Sequence, residues 1–156
     1  MTHADYMKLA IAKAKEGVDS GQSPFGAIIV KDGKVVSNAH NQVWKTCDPT
    51  AHAEVNAIRQ AALALKTIDL SGTTMYTTCE PCPMCLSAIH WAKIDKVYFG
   101  ATIADAAKAN FQELKFPAKE LARQGGSKLI VEDGILTSEC AALFDYFLNL
   151  GKAKTY

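Results

Sequence analysis

The chain is organised around a cysteine-rich stretch at residues 78–85, which reads Thr78-Cys79-Glu80-Pro81-Cys82-Pro83-Met84-Cys85. Cys82 and Cys85 lie three positions apart, so a helix that opens after the first proline would place both thiols on one face. Upstream, the chain carries His52-Ala53-Glu54. Two thiolates and one imidazole suit zinc and leave its fourth position open for water, which is the ligand count of a catalytic site and not of a structural one.

Glu54 is the predicted proton-transfer group of this site. A carboxylate two residues from a metal-ligating histidine can take a proton from the metal-activated water and deliver it elsewhere. The cysteines alone also fit a redox pair, half of a structural zinc site or, with Cys79, part of an iron–sulfur ligand run. None of these explains His52-Ala53-Glu54, and the fourth ligand of a structural site would have to come from residues without paired spacing, such as Cys47 and Cys140.

Length and composition indicate a compact globular protein. The 156 residues are 49% hydrophobic with a formal net charge of +1, so we expect one domain over residues 1–156 with a substantial core. No apolar run approaches the roughly 18 residues of a membrane span, and the first residues do not resemble a signal peptide. The balanced charge argues against a phosphate-binding surface. Five cysteines, an odd number, favour a reducing compartment, which predicts a cytoplasmic location.

Hydrophobic periodicity predicts helices that alternate with strands. A helix over 3–20 begins with a capping box of Thr2 and Asp5, and Asp32-Gly33 between two β-rich runs predicts a hairpin. Further helices are predicted at 51–65, 84–93, 105–111 and from Thr137 or Ser138 to 150, with strands at 73–78, 96–101 and 127–132. This order predicts an α/β fold: a three-layer α/β/α sandwich around a mixed five-stranded sheet with an N-terminal β-hairpin.

The two motifs together resemble the signature of the cytidine-deaminase-like superfamily of zinc deaminases. The resemblance covers essentially the whole chain and, in its finer detail, is similar to bacterial guanine deaminases at Pro24 through Ala27, Asp48 through Val55, Cys79 through Leu86 and Ala88 through Lys93. It implies one zinc ion per chain, held by His52, Cys82 and Cys85, with Glu54 as the proton shuttle. It also implies a substrate pocket formed by Phe25, Asn41, Ala53, Trp91, Glu113 and Tyr156.

By this resemblance, the reaction is the hydrolytic deamination of a free nucleobase, with guanine as the expected substrate and xanthine and ammonia as products. Asn41 is expected to bind the base, with Phe25 and Trp91 on its faces. Where family members place an Asp pair, this chain has Gln112-Glu113, whose longer carboxylate can still accept ring N–H bonds but shifts the contact outward. Tyr156 is expected to cover a pocket, either of its own chain or, through an exchanged C-terminal segment, of the partner in a homodimer.

Other substrates and another class of protein remain open. Cytosine, guanosine and an amino-triazine fit the same chemistry, and tRNA adenosine deaminases share the stretch from Asp48 to Glu54. An RNA-binding protein should have a basic C-terminal helix, whereas here the final helix contains Glu139 and Asp145 and no Lys or Arg before Lys152. We therefore expect a small-molecule nucleobase and neither nucleic acid nor membrane as the partner. The different-class alternative is a non-catalytic zinc-binding module, against which the intact Glu54 argues.

Overall fold

The computed structural model describes residues 1–156 and contains one five-stranded sheet. Its strands are β1 (Gly26–Lys31), β2 (Lys34–His40), β3 (Thr73–Cys79), β4 (Lys96–Ala101) and β5 (Ile130–Glu132). They lie in the order β2-β1-β3-β4-β5. β1 is antiparallel to both of its neighbours, while β3, β4 and β5 run parallel, so the sheet is mixed as predicted.

Helices cover both faces of this sheet. They are α1 (His3–Asp19), α2 (Val43–Thr46), α3 (Ala53–Leu65), α4 (Pro83–Trp91), α5 (Ile103–Lys108), α6 (Ala118–Gln124) and α7 (Thr137–Asn149). α1 and α7 pack against each other on one face, and α3, α4 and α6 form the layer on the other. The predicted three-layer α/β/α fold is therefore confirmed. None of the helices combines the length and apolar character that crossing a bilayer would require.

Local sequence signals fix the opening elements. Thr2 Oγ1 accepts a 3.2 Å hydrogen bond from the amide of Asp5, whose carboxylate accepts a 2.9 Å bond from the amide of Thr2, so the predicted capping box forms. Asp32 and Gly33 have φ angles of 48° and 73°, the two positive values that a tight hairpin turn needs. At the start of β1, a Cβ on Gly26 would lie 2.2 Å from the carbonyl oxygen of Ala10, so a glycine is required for α1 to approach the sheet this closely.

Several predicted boundaries are wrong. The helix predicted at 105–111 begins at Ile103 and ends at Lys108, because Thr102, the residue directly after β4, forms a capping box with Asp105. Neither Thr137 nor Ser138 caps the final helix, whose N-cap is Leu136 in the left-handed region. The last strand is only three residues long, and residues 43–46, where no helix was predicted, form the helical turn α2.

Candidate active site and metal centre

Two helix N-termini meet beyond the carboxyl end of β3. His52 is the N-cap of α3 and Cys82 is the N-cap of α4, while Cys85 lies in the first turn of α4. Neither N-cap side chain bonds to its own helix, which leaves the imidazole and the thiol available to a third group. The positive dipole ends of the two helices favour thiolates and carboxylates at this point. The two motif-bearing helices thus converge on one point.

The three predicted ligands have the spacing of a zinc site. His52 Nδ1 lies 3.4 Å from Cys85 Sγ and 3.8 Å from Cys82 Sγ, and the three ligand atoms lie within 4.8 Å of one another. With Zn–S of about 2.3 Å and Zn–N of about 2.0–2.1 Å, a tetrahedral ion separates nitrogen from sulfur by about 3.6 Å. The observed distances fall on either side of this value, so the residues fit zinc. Cys79 Sγ instead lies 3.6 Å from the carbonyl of Thr102, outside the cluster, which does not support the iron–sulfur alternative.

The two thiols of the cluster hold one proton between them. The hydrogen bond from Cys85 is the main reason that the pKa of Cys82 is lowered to about 4, and contact with His52 adds to it. The same hydrogen bond, together with burial, raises the pKa of Cys85 well above its ordinary value. A bound cation is therefore needed for both sulfurs to be thiolates, and its binding would release a proton.

Glu54 lies in the first turn of α3, beside the three ligands. Only 5% of its surface is exposed, and burial raises the pKa of its carboxyl group despite the opposing effect of His52. A buried carboxyl group with a raised pKa, held close to a metal cluster, is suited to accept a proton and return it. Glu54 thus has the position and the protonation chemistry of the predicted shuttle.

Asn41 and Tyr156 meet at the same place from distant parts of the chain. Asn41 is fully buried after β2, and its Oδ1 accepts a 3.1 Å bond from the amide of Val43. Its Nδ2 donates a 2.5 Å bond to the hydroxyl of Tyr156, whose backbone oxygen accepts a 3.0 Å bond from the amide of Gln112. The Tyr156 and His52 ring centroids are 5.8 Å apart, so the C-terminal tail folds over the cluster of its own chain.

Glu113 lies in the segment between α5 and α6 and is directed to the same region. Burial raises the pKa of its carboxyl group to about 8, and the negative charges of Cys82 and Glu54 contribute in the same direction. Its Oε2 is buried and has no hydrogen-bond partner. A buried acceptor without a donor is energetically costly, and a ring N–H of a bound base would supply the donor.

The other predicted pocket residues differ in placement. Ala53 is fully buried between the ligand histidine and the shuttle. Phe25 is buried in the core against Phe111, with ring centroids 4.9 Å apart, and it is Phe111 whose ring contacts Tyr156. Trp91 is the last residue of α4 and is 81% exposed, at the opposite end of the helix from the cluster. The structure therefore does not bring Trp91 to the base within one chain.

Two site residues were missed by the sequence reasoning. Ser23 is fully buried in the loop between α1 and β1, next to the phenol of Tyr156, and no motif marks it. Glu80 accepts a 3.1 Å bond from the amide of Ile103 and a 2.9 Å bond from the amide of Ala118. It therefore ties the cysteine stretch to α5 and α6, the helices that flank Glu113. The sequence signal that could have identified Glu80 is its position inside the cysteine-rich stretch at residues 78–85.

Known proteins share these features. Residues 1–101 match the family described as the cytidine and deoxycytidylate deaminase zinc-binding region. The guanine deaminase of Bacillus subtilis (strain 168) is 41% identical over 157 residues, which cover 100% of both chains. An X-ray structure of guanine deaminase from Bacillus subtilis has a TM-score of 0.71 and 48% identity over 72% of this chain and 73% of that one. The tRNA-specific adenosine deaminase of Bacillus subtilis (strain 168) is 35% identical over 155 residues, covering 96% of this chain and 91% of its own. Because the matched region contains the histidine, both cysteines and the glutamate of the site, the chain belongs to the cytidine and deoxycytidylate deaminase family of zinc-binding enzymes.

Proposed function

We propose that this deaminase acts on guanine and converts guanine and water to xanthine and ammonia. The observation that carries the proposal is the buried, unpaired Oε2 of Glu113, whose carboxyl group lies close enough to Glu54 and Cys82 for their charges to affect its pKa. It offers an acceptor to a ring N–H beside the proton shuttle. The full-length likeness to a guanine deaminase supports the same substrate.

Glu54 moves the protons in the proposed reaction. A zinc ion held by His52, Cys82 and Cys85 would lower the pKa of a water molecule to about 7 and so supply the nucleophile near neutral pH. Glu54 takes a proton from this water and delivers it to a ring nitrogen while the oxygen adds to C2, the carbon that carries the amino group of guanine. Glu54 then takes the proton of the hydroxyl group added at C2 and passes it to the amino group, so that the C–N bond breaks, ammonia leaves and the C2 carbonyl of xanthine forms. The raised pKa of Glu54 suits a group that must hold a proton between these steps.

Asn41 and Glu113 provide opposite hydrogen-bonding requirements. Because Asn41 Oδ1 is already bonded to Val43, its free function is donation from Nδ2, which needs an acceptor oxygen or ring nitrogen on the base. Glu113 needs a donor. Guanine supplies both through its carbonyl oxygen and ring N–H, whereas adenine has no carbonyl oxygen. Each buried group left without its partner costs about 1–3 kcal/mol, so the pair favours guanine.

We further infer one zinc ion per chain and one deaminase unit over residues 1–156. The single three-residue metal cluster and the continuous core of 33 buried residues support this. All five cysteines are unpaired, which fits a reducing compartment, and we place the enzyme in the cytoplasm in a guanine-degrading role. The near-neutral charge supports a free base and not a nucleic acid as the partner.

We also propose that the enzyme is a homodimer. Trp91, Leu63 and Ile68 are 81%, 79% and 89% exposed, and large apolar side chains are unfavourable in water. A second copy that covers Trp91 would give this side chain the partner that one chain does not provide. Light scattering of the protein and of a Trp91→Ser variant tests this, since loss of the dimer in the variant is the expected result.

The proposed substrate is tested by an ammonia-release screen over guanine, guanosine, cytosine, cytidine, adenine and ammeline, with an adenosine-containing tRNA stem-loop as a further substrate. We expect guanine to have the highest kcat/KM and the stem-loop to be inert. If cytosine or guanosine has the highest kcat/KM, the proposed substrate is wrong, although the proposed deamination reaction is still supported. If the stem-loop alone reacts, the enzyme is a tRNA deaminase. Absence of turnover with every substrate, in zinc-loaded protein, would favour the non-catalytic alternative.

A further inference from the structure

Ser23 presents a hydroxyl group that the reaction described so far does not use. Its side chain is 0% exposed, and its Oγ has no hydrogen-bond partner. Burial of a hydroxyl group without a partner opposes folding. Backbone hydrogen bonds place this residue near Asn41: the amide of Phe25 donates to the carbonyl of Ser23 (2.8 Å), and the amide of Asn41 donates to the carbonyl of Phe25 (3.0 Å). The Ser23 hydroxyl is also close enough to the Tyr156 phenol to affect its pKa, and Asn41 bonds to the same phenol.

The hydroxyl oxygen of Tyr156 marks a position at which an acceptor atom is bound. It accepts a 2.5 Å hydrogen bond from Asn41 Nδ2, a group that can only donate. It lies close enough to Ser23, Glu54 and Glu113 for these groups to affect the pKa of the phenol. An oxygen atom of a bound base would have the same neighbours if it took this position. The tyrosine hydroxyl would then have to withdraw.

We propose that Ser23 and Asn41 together bind the C6 oxygen of guanine, at the position that the Tyr156 hydroxyl takes in the structure. A carbonyl oxygen has two lone pairs, one for the Asn41 amide and one for the Ser23 hydroxyl. An amino group at C6 would place a donor opposite the Asn41 donor, and a hydrogen atom would leave both groups unpaired. Ser23 is thus a specificity-determining residue for 6-oxopurines. This inference rests on the proposed guanine deaminase function.

Two other buried hydroxyl groups have no partner, and they provide controls. Ser37 on β2 and Thr77 on β3 are buried and unpaired, but neither is among the groups that face the Tyr156 phenol. Ser37→Ala therefore removes the same atom from a similar environment outside the pocket. The position of Ser23, and not merely its unpaired hydroxyl, distinguishes it.

The test compares Ser23→Ala with Ser37→Ala on guanine and on 2-aminopurine, which has the reactive C2 amino group but hydrogen in place of the C6 oxygen. For Ser23→Ala we expect kcat/KM for guanine to fall about 3-fold to 10-fold, mainly through KM, as for one lost hydrogen bond. The value for 2-aminopurine should change less than about 2-fold, and Ser37→Ala should alter neither. An equal loss on both substrates, or no loss on guanine, would overturn the proposal.

Two further measurements separate the alternatives. If Ser23 acted only by holding the Tyr156 phenol, Ser23→Ala would have no effect in a Tyr156→Phe background, whereas direct contact with the base predicts that the guanine-specific loss persists. If the wild-type enzyme does not turn over guanine, the proposed function fails. The Ser23 contact is then tested by binding of hypoxanthine and purine to zinc-loaded Glu54→Gln protein. Asn41 and Glu113 also favour hypoxanthine, so a preference that Ser23→Ala reduces supports the contact, and a preference that it leaves unchanged refutes it.

Discussion

Replacing Glu113 with Gln should remove a steep pH dependence of kcat/KM for guanine. Burial, with added repulsion from Cys82 and Glu54, raises the pKa of Glu113 to about 8. With that pKa, the carboxylate form makes up about 1% of the free enzyme at pH 6 and about 50% at pH 8. If the ring N–H of guanine requires the carboxylate, kcat/KM should rise about 50-fold over this interval, because kcat/KM reports the ionisation of the free enzyme.

The glutamine side chain is nearly isosteric with a protonated carboxyl group. Glu113→Gln should therefore come closest to the wild type near pH 6 and fall more than about 10-fold further behind it at pH 8, a difference of more than about 1.4 kcal/mol. The assay is xanthine formation at guanine concentrations well below KM, from pH 6 to 8. The quantity to compare is the ratio of the two kcat/KM values at each pH, because the titration of the water affects both proteins. Glu139→Gln, which changes an exposed acid on α7, serves as the control.

A ratio of wild type to Glu113→Gln that stays constant from pH 6 to 8 would refute this reasoning. Stability gives a second measurement. Because the folded-state pKa of Glu113 lies above its usual value of 4.5, its contribution to stability is fully present below that value and is lost as the pH rises through about 8. Glu113→Gln should therefore raise the melting temperature at pH 8 and leave it nearly unchanged at pH 4.5.

The remaining predictions concern the metal, the proton shuttle and the tail. Metal analysis should give about one zinc per chain, lost in Cys82→Ala or Cys85→Ala together with activity but retained in Cys79→Ala; iron and sulfide in place of zinc would contradict the site. Glu54→Gln should keep its zinc and its fold but lose about 100-fold to 10,000-fold in kcat, and near-normal turnover would assign proton transfer to another group. Deletion of residues 152–156 should leave the zinc content unchanged and reduce guanine turnover sharply. The melting temperature should fall only slightly, because few hydrogen bonds are lost. A truncated protein with unchanged kcat and KM would show that the tail has no part in the site.

The metal cluster could be predicted from sequence because its geometry is local. His52 and Cys82 each stand at the start of a helix, and such starts are encoded by a few neighbouring residues, including Pro83 in the first turn of α4. Once the sheet places both helix starts at one edge, the ligand distances follow. The same locality explains why the opening capping box and the Asp32-Gly33 turn were predicted correctly.

The features that the sequence did not reveal depend on contacts between distant segments. Ser23 and Tyr156 are brought together by the packing of α1, β1 and the tail, and hydrophobic periodicity cannot predict such a contact between distant residues. The N-cap at Leu136 likewise depends on where α7 packs and not on the nearby hydroxyl residues. Trp91 was assigned to the pocket by resemblance, and a single chain leaves it in solvent because α4 runs away from the cluster.

The position of Tyr156 restricts how the protein can be handled in the laboratory. Its hydroxyl bonds to Asn41 and its backbone oxygen to the amide of Gln112, so a segment joined to it would have to leave from the covered side of the site. A purification tag or fluorescent protein fused at that end would pull the aromatic ring out of place and give an enzyme whose measured rate reflects the fusion. The opposite end is suited to such additions, since Met1 is 71% exposed and precedes the cap of α1.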